Sequence, residues 1–593
     1  MTFLARPQWL ALGLCAALIG CNSRPPATTV QQVAKQDDPI EELGQSIRDD
    51  LRKPPDPAVA RRVVEQLNNQ LSRSGADRRP APLAPAERAR LQKERGFLPN
   101  EAAELARAEF TAVDAYYIDE ALLLRDIARS LDVDRLPPLE RAEAALAWVV
   151  RNLRGIPSGA PAVPNAFVAA RGSATPVERT YFLLAMLRQL NLDAALIGDP
   201  GANPDGIWAV GILADGQIHL LDARLGLPLP GHDGKGVLTL EQVHTAGEPF
   251  KPLAVDPKLT YDVNNDRGKR SEILVTAPMS AIGPRMRFLQ EMVADETLHL
   301  AVDPAALADR FRKEAGRVAV KLWCPPVVDA LPRLLYTFLP VSEGGSDTSS
   351  PGRLAYYHRL RIPIEVLPPF LRELQGEPGM RVFNNFRAMT SGLDMPGQAH
   401  DLILRGQFRE ATEQLIAVQT QVKHRPGNPE ELVKNTEEWA NAAREYAADL
   451  SRKTKGALEH GAVERMEQNR VTAERLWQSP RGPQALLQYV VSDTVAAQAT
   501  YLLGLCKHEE AERAGSQPDA ARPAWQTAQQ WWRSFLNGYP THPWVPAARR
   551  NLARTLEAGG QRQAARSEYS TLADSAPTPF EKLACRYLAE RLK

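Results

Sequence analysis

The tetrapeptide Thr175-Pro176-Val177-Glu178 constrains the fold more than any other short stretch, because it fixes where a helix begins and in which direction it runs. Threonine, then proline at the first helical position and glutamate at the third, reads as a capping box: hydroxyl and carboxylate satisfy backbone N–H groups that a helix start leaves free. The helix it opens, VERTYFLLAMLRQL, is apolar and runs into the strand-like LDAALIG. A helical run including RAEAALAWVVRNL (141–153), with Trp148 on its apolar face, precedes it, and strand-like segments follow in GIWAVGILADGQIHLLDARLG (206–226). Helices leading into strands over residues 96–266 predict an α+β domain.

At 593 residues the chain is several domains long. Lys plus Arg number 72 and Asp plus Glu 71, so no overall field draws it to nucleic acid. Residues 21–95 read as a tether, punctuated by proline in NSRPPATTV, KPPDPAVA and RRPAPLAPAER, with short helical patches such as VARRVVEQLNNQL. Residues 267–396 read as mixed and mainly helical, without an assignable role. They contain SEGGSDTSSPGR, a surface loop and not a phosphate cradle, since no Lys-Ser/Thr pair follows it.

From 397 to 593 the pattern is helical and repetitive. Ala528, Trp532 and Phe535 fall on one helix face, and the same residue classes recur 37 residues later as Ala565, Tyr569 and Leu572. Gly406, Ala411 and Leu415 match Gly560, Ala565 and Tyr569 at a constant offset of 154. A glycine turn followed by a small and then a bulky residue suits paired antiparallel helices. This pattern resembles the tetratricopeptide repeat, whose usual period is about 34 residues.

The first 20 residues have an arginine-bearing start and an apolar run from Trp9 to Ile19, too short for a permanent span of about 20 apolar residues. The following Leu18-Ile19-Gly20-Cys21 resembles the lipobox of bacterial lipoproteins. That resemblance implies cleavage before Cys21, lipidation of its sulfur, and anchorage in the cell envelope. By family analogy, Asn22 in second place favours the outer membrane, facing the periplasm. Acyl chains hold such a protein at about 0.8 kcal/mol per buried CH2. Cys324, Cys506 and Cys585 remain, an odd number without metal-ligand spacing. They read as buried apolar side chains, with a Cys506–Cys585 bridge left open.

The segments 141–153, 175–199 and 206–226, in that order and spacing, resemble the transglutaminase-like domain. The family is a papain-like α+β arrangement with a Cys at a helix N-terminus, a His on one strand and an Asp on the next. The resemblance places the nucleophile near Ala174–Pro176, about a dozen residues before Arg188, where there is no thiol. No cysteine lies between Cys21 and Cys324, and no histidine precedes His219. Asp205, Gly206 and Ile207 stand where the family's histidine precedes Trp208, and only Asp222 matches the third position.

Substitutes fail on geometry. His219 and Asp222, three apart on a strand, point to opposite faces. Thr175 is the helix cap, and Glu178 with Arg179 is left as a charged pair beside a cleft. These readings give a lipid-anchored envelope protein whose catalytically silent domain and repeats bind a peptide or protein partner, with no cofactor or metal implied. The alternative is an envelope hydrolase or transferase with an unrecognised site. Replacing Cys21 by alanine is expected to abolish metabolic labelling by a fatty acid and to leave the leader uncleaved there; a labelled Cys21→Ala variant would refute the lipobox.

Overall fold

The computed structural model describes residues 57–73, 107–157, 163–199, 206–293, 297–322, 366–391, 395–422, 428–456, 461–516 and 518–593, with scattered positions before residue 90. Cys21 and the lipobox, Asp205, Cys324 and the loop at 342–353 lie outside the described residues.

The chain leads in with α1 (Pro57–Arg73), α2 (Ala112–Ser130) and α3 (Pro138–Asn152). A two-residue β1 (Arg154–Gly155) pairs in parallel with β2 (Ser173–Ala174) across α4 (Asn165–Arg171). The capped helix α5 (Pro176–Gln189) then feeds an antiparallel meander: β3 (Ala194–Gly198), β4 (Ile207–Ala214), β5 (Gln217–Asp222) and β6 (Leu227–Pro228). After α6 (Leu240–Thr245) and α7 (Asn265–Lys269), β7 (Glu272–Val275) returns to the free edge of β3. Past α8 (Met279–Ile282), α9 (Pro284–Val293) and α10 (Pro304–Glu314), β8 (Val320–Leu322) joins β7 in parallel. The sheet order is β6-β5-β4-β3-β7-β8, so the sheet does not stop at the boundary read near residue 266. The sequence signal of β7 and β8 is weak because each is only three or four residues long.

Alternation along the strands divides the sheet's two faces. Leu196, Val210, Ile212, Leu221 and Leu274 point into a cluster with α3 and α5, including Trp148 stacked on Phe182 at 5.9 Å between ring centroids. Ala195, Ile197, Trp208, Ile218, Leu220 and Ile273 point into a second cluster, which continues without interruption into the C-terminal helices. Both faces being covered explains why β4 reads as an almost continuous apolar run. Helix α1 is part of the body and not of a tether: Val59, Val63 and Leu67 pack with Ile118, Leu122, Met286 and Leu289, and the Asn68 amide bonds both N–H and C=O of Phe110 at 2.9 Å.

From Pro369 onward the described elements are helical: α11 (Pro369–Arg372), α12 (Gly376–Ser391), α13 (Met395–Leu404), α14 (Phe408–Gln421), α15 (Pro429–Thr454), α16 (Ala462–Trp477), α17 (Pro483–Arg513), α18 (Pro518–Gly538), α19 (Val545–Ala558), α20 (Arg562–Ser575) and α21 (Pro579–Arg591). Helices adjacent in sequence pack as pairs, α13 on α14, α15 on α16, α17 on α18, and then α18 to α21 each on the next. Gly406 and Gly560 turn between helices at φ +73° and +77°, a left-handed conformation that favours glycine. Ala528, Trp532, Phe535, Ala565, Tyr569, Leu572, Ala411 and Leu415 are all buried, which is the helical face read from their spacing. Cys506 and Cys585 are buried free thiols, each pushed up to about 12 by burial, so the bridge left open does not form.

Helix α17 packs along α18. A methyl group at Gly504 would lie 2.8 Å from the Trp532 ring, so the absence of a side chain in mid-helix admits the indole. That ring is fully buried against Tyr501, 5.1 Å away. Trp532→Ala is expected to lower stability by about 3–5 kcal/mol, read by chemical denaturation; a loss below about 1 kcal/mol would mean that the indole face is dispensable.

Candidate functional site

The N-terminus of α5 is where the sequence places the missing nucleophile, and the structure fills it with polar contacts. The Glu178 N–H donates to the Thr175 hydroxyl at 3.3 Å, and the Thr175 N–H donates to the Glu178 carboxylate at 2.8 Å. That carboxylate also accepts from Arg171 at 2.6 Å and from the Val163 N–H at 3.1 Å. Ala174 and Thr175 are buried, and the Thr175 hydroxyl caps the helix. Glu178 and Arg179 do not pair with each other. Arg179 turns the opposite way, donating to the Leu153 carbonyl at 2.7 Å and to Glu581 at 3.0 Å. Neighbours on a helix diverge by about 100°, which separates the two partners.

Glu581 belongs to α21, some 400 residues downstream. Its Oε1 also accepts from Arg550 of α19 at 3.2 Å, and its N–H is capped by the Thr578 hydroxyl at 3.1 Å. Burial pushes the Glu581 carboxyl up, but Arg179 and Arg550 outweigh it and hold it below the ordinary glutamate range. The close approach needs Gly155: a methyl group there would lie 2.4 Å from the Glu581 carboxylate. One residue before Glu581, the Phe580 ring lies 4.7 Å from the Arg224 guanidinium.

Asp222, the residue matching the family's third position, is fully buried. Its carboxylate accepts from the Arg224 side chain at 2.8 and 3.1 Å, from the Arg224 N–H at 2.8 Å and from the Tyr261 hydroxyl at 2.9 Å. Arg224 in turn reaches Asp262 at 2.8 Å. Burial pulls the guanidinium down, and Asp222 more than restores it above its usual value. His219 takes no part in this. It alternates with Ile218 and Leu220, which share a cluster, while Asp222 falls on the Ile218 face. Burial lowers the His219 pKa, and its Nδ1 has no hydrogen-bond partner. The structure therefore does not bring Thr175, His219 and Asp222 together as a catalytic group. Among the described residues no cluster of His, Cys, Asp or Glu is placed to hold a metal ion.

The sequence reading missed the residues that organise this region. Arg151 on α3 forms a two-pronged pair with Glu509 of α17, 3.0 Å on each side, and reaches Glu512 at 3.1 Å. The Asn152 amide donates to the same Glu509 at 2.8 Å, and the Asn551 amide of α19 caps the Arg151 carbonyl. Burial lowers the Arg151 pKa, while Glu509 and Glu512 raise it to a net upward shift. The available signal was charge on an otherwise apolar helix face, in AWVVRNLR and VPAARRNLA. These side chains fix the α/β body against the helices across the mouth of the region that holds α5's N-terminus.

No protein-family model matches the chain, and neither a curated protein nor a solved structure matches it. Glu581→Ala is expected to cost about 3–5 kcal/mol, because it strands two buried guanidinium groups. The folded state binds the Glu581 proton more weakly than the unfolded chain, so its contribution is complete above about pH 4.5 and is lost as the pH falls below that, through the folded value. Denaturant unfolding from pH 7 to pH 3 checks this: the parent is expected to lose stability on acidification more steeply than Glu581→Gln, and parallel curves would refute it.

Proposed function

We propose that this chain is a lipid-anchored envelope protein in which a catalytically silent transglutaminase-like domain and tetratricopeptide-like repeats form one binding scaffold for a peptide or protein partner. The observation that carries the reading is the occupation of α5's N-terminus: the Thr175–Glu178 cap on one side and the Arg179–Glu581 pair on the other leave there, among the described residues, no thiol and no hydroxyl paired with an imidazole base. Acyl transfer needs a nucleophile within about 2.6–3.2 Å of a general base, and that base oriented by a third group. Here the one matching carboxylate, Asp222, is engaged by an arginine and a tyrosine. The anchoring role rests on Leu18-Ile19-Gly20-Cys21, and no helix among the described residues is long and apolar enough to cross a membrane. The helical half supplies paired helices that stack on the same apolar core as the sheet.

Crosslinking in intact cells followed by mass spectrometry is expected to recover a partner held through residues of the folded body. The purified protein is expected to show no amidase or transamidase turnover. Thr175→Ala is expected to lose about 1 kcal/mol, while Thr175→Asp, which also caps, is tolerated. Turnover in the parent that disappears in both variants at unchanged stability would overturn the silent-domain reading in favour of a hydrolase or transferase.

A further inference from the structure

Arg154, the first residue of β1, stands out from the arginines around it. Arg151 holds Glu509, Arg171 holds Glu178, and Arg179 and Arg550 share Glu581. Arg154 holds no carboxylate among the described residues; its side chain makes one hydrogen bond, to the Arg171 carbonyl at 3.3 Å. Its guanidinium lies 3.7 Å from the centre of the Trp544 ring and 5.9 Å from that of Tyr501. The guanidinium lies over the indole, and four of its five N–H donors have no partner among the described residues. The residue is only half-buried, so this edge is not sealed from outside.

Its described surroundings hold neutral polar groups and no counter-charge paired with it. His400 on α13 is 2% exposed, and its Nδ1 has no partner. His542, between α18 and α19, spends Nδ1 on the Trp544 N–H at 3.1 Å and leaves Nε2 buried without a partner. Burial first, and the Arg154 charge second, pull His400 down to about 3 and His542 to about 4, so both imidazoles are neutral near pH 7. Burial also lowers Arg154, to about 10, which leaves it charged. A partly desolvated charge without a counter-charge is stabilised by any anion that pairs with it.

We propose that Arg154 is the recognition residue of a carboxylate-binding site, walled by Trp544, Tyr501, His400 and His542, which takes the terminal carboxylate of a peptide. The guanidinium edge matches a carboxylate through two parallel N–H···O bonds, and the indole beneath it fixes the plane in which they form. Three separate parts of the chain supply the walls: β1, α13 and the helices α17 to α19. The carboxylate follows from Arg154 and its neighbours, and the peptide that carries it rests on the scaffold reading above.

The test is calorimetry of the full chain against a library of N-acetylated tripeptides with free C-terminal carboxylates, the same library as C-terminal amides, and acetate. The acids are expected to bind at least tenfold more tightly than the amides. Arg154→Gln is expected to erase the difference, and Arg154→Lys to keep only part of it, because lysine retains the charge and loses the fork. Equal binding of acids and amides, or a preference that survives in Arg154→Gln, would overturn the site. Acetate binding as tightly as the peptides would overturn the peptide assignment. Should Arg154→Gln fail to fold, the histidine resonances of the parent decide: a bound carboxylate neutralises Arg154 and shifts the titrations of His400 and His542 upward, and their constancy refutes the proposal. If neither library binds while a crosslinked partner is still recovered, the site falls and the scaffold stands; peptide binding without any crosslinked partner gives the reverse.

Discussion

The buried arginine–glutamate pairs at the seam between sheet and helices set the geometry on which everything else depends. Arg151 with Glu509 and Arg179 with Glu581 each join the α/β body to a helix more than 350 residues downstream. Apolar burial supplies the adhesion, since one continuous cluster runs from Trp208 and Ile218 through Trp532 to Leu588. Adhesion of that kind is non-directional, and the charges add a direction. A slip in register would leave a desolvated guanidinium or carboxylate without its partner, a loss of several kcal/mol. The pairs therefore select one docking geometry among the many that apolar contact alone would accept.

Two glycines make that geometry accessible. A methyl group at Gly155 would collide with Glu581, and one at Gly226 would lie 2.6 Å from both Arg550 and Val150. Gly226 also sits at φ +72°, where other residues are strained. Neither residue contributes a side-chain interaction. Each removes a side chain so that an ion pair from the far end of the sequence can approach the backbone. This explains why the short β1–β2 ladder and the β5–β6 turn, which look incidental in isolation, face the helical half.

What the sequence disclosed and what it hid divide along the range of the interactions involved. The Thr175 cap, the helical face of Ala528, Trp532 and Phe535, and the opposed directions of His219 and Asp222 were legible because each depends on residues within about seven positions. The sheet's extension through β7 and β8 was hidden, because strands of four and three residues carry too little alternation to detect. The role of Glu581 was hidden for a different reason. Its sequence context, Thr578-Pro579-Phe580-Glu581, reads as another helix cap, and although one carboxylate oxygen does turn back to the Thr578 hydroxyl, nothing local says that the other reaches Arg179. Glu178 and Arg179 were legible as a charged pair only because adjacency in sequence is visible, whereas the partners they have, Arg171 and Glu581, are set by the fold.

Counting acceptors shows where this molecule has chemistry to spare. The Asp222 carboxylate offers about four lone-pair sites and receives five donors: three from Arg224, one from the Leu225 N–H and one from the Tyr261 hydroxyl. An imidazole seeking orientation would find no vacancy there. Glu178 receives three donors and Glu581 is shared by two arginines, so the carboxylates around α5's N-terminus are engaged from within the chain. Carboxylates engaged in this way from within the chain gain little from a further donor. A few residues away at Arg154, a cation, two neutral imidazoles and an indole lie together, and no carboxylate among the described residues pairs with that guanidinium. On the proposed reading the seam supplies counter-charges around α5's N-terminus and none among the described residues at Arg154, and that deficit marks where a ligand carboxylate would have something to offer.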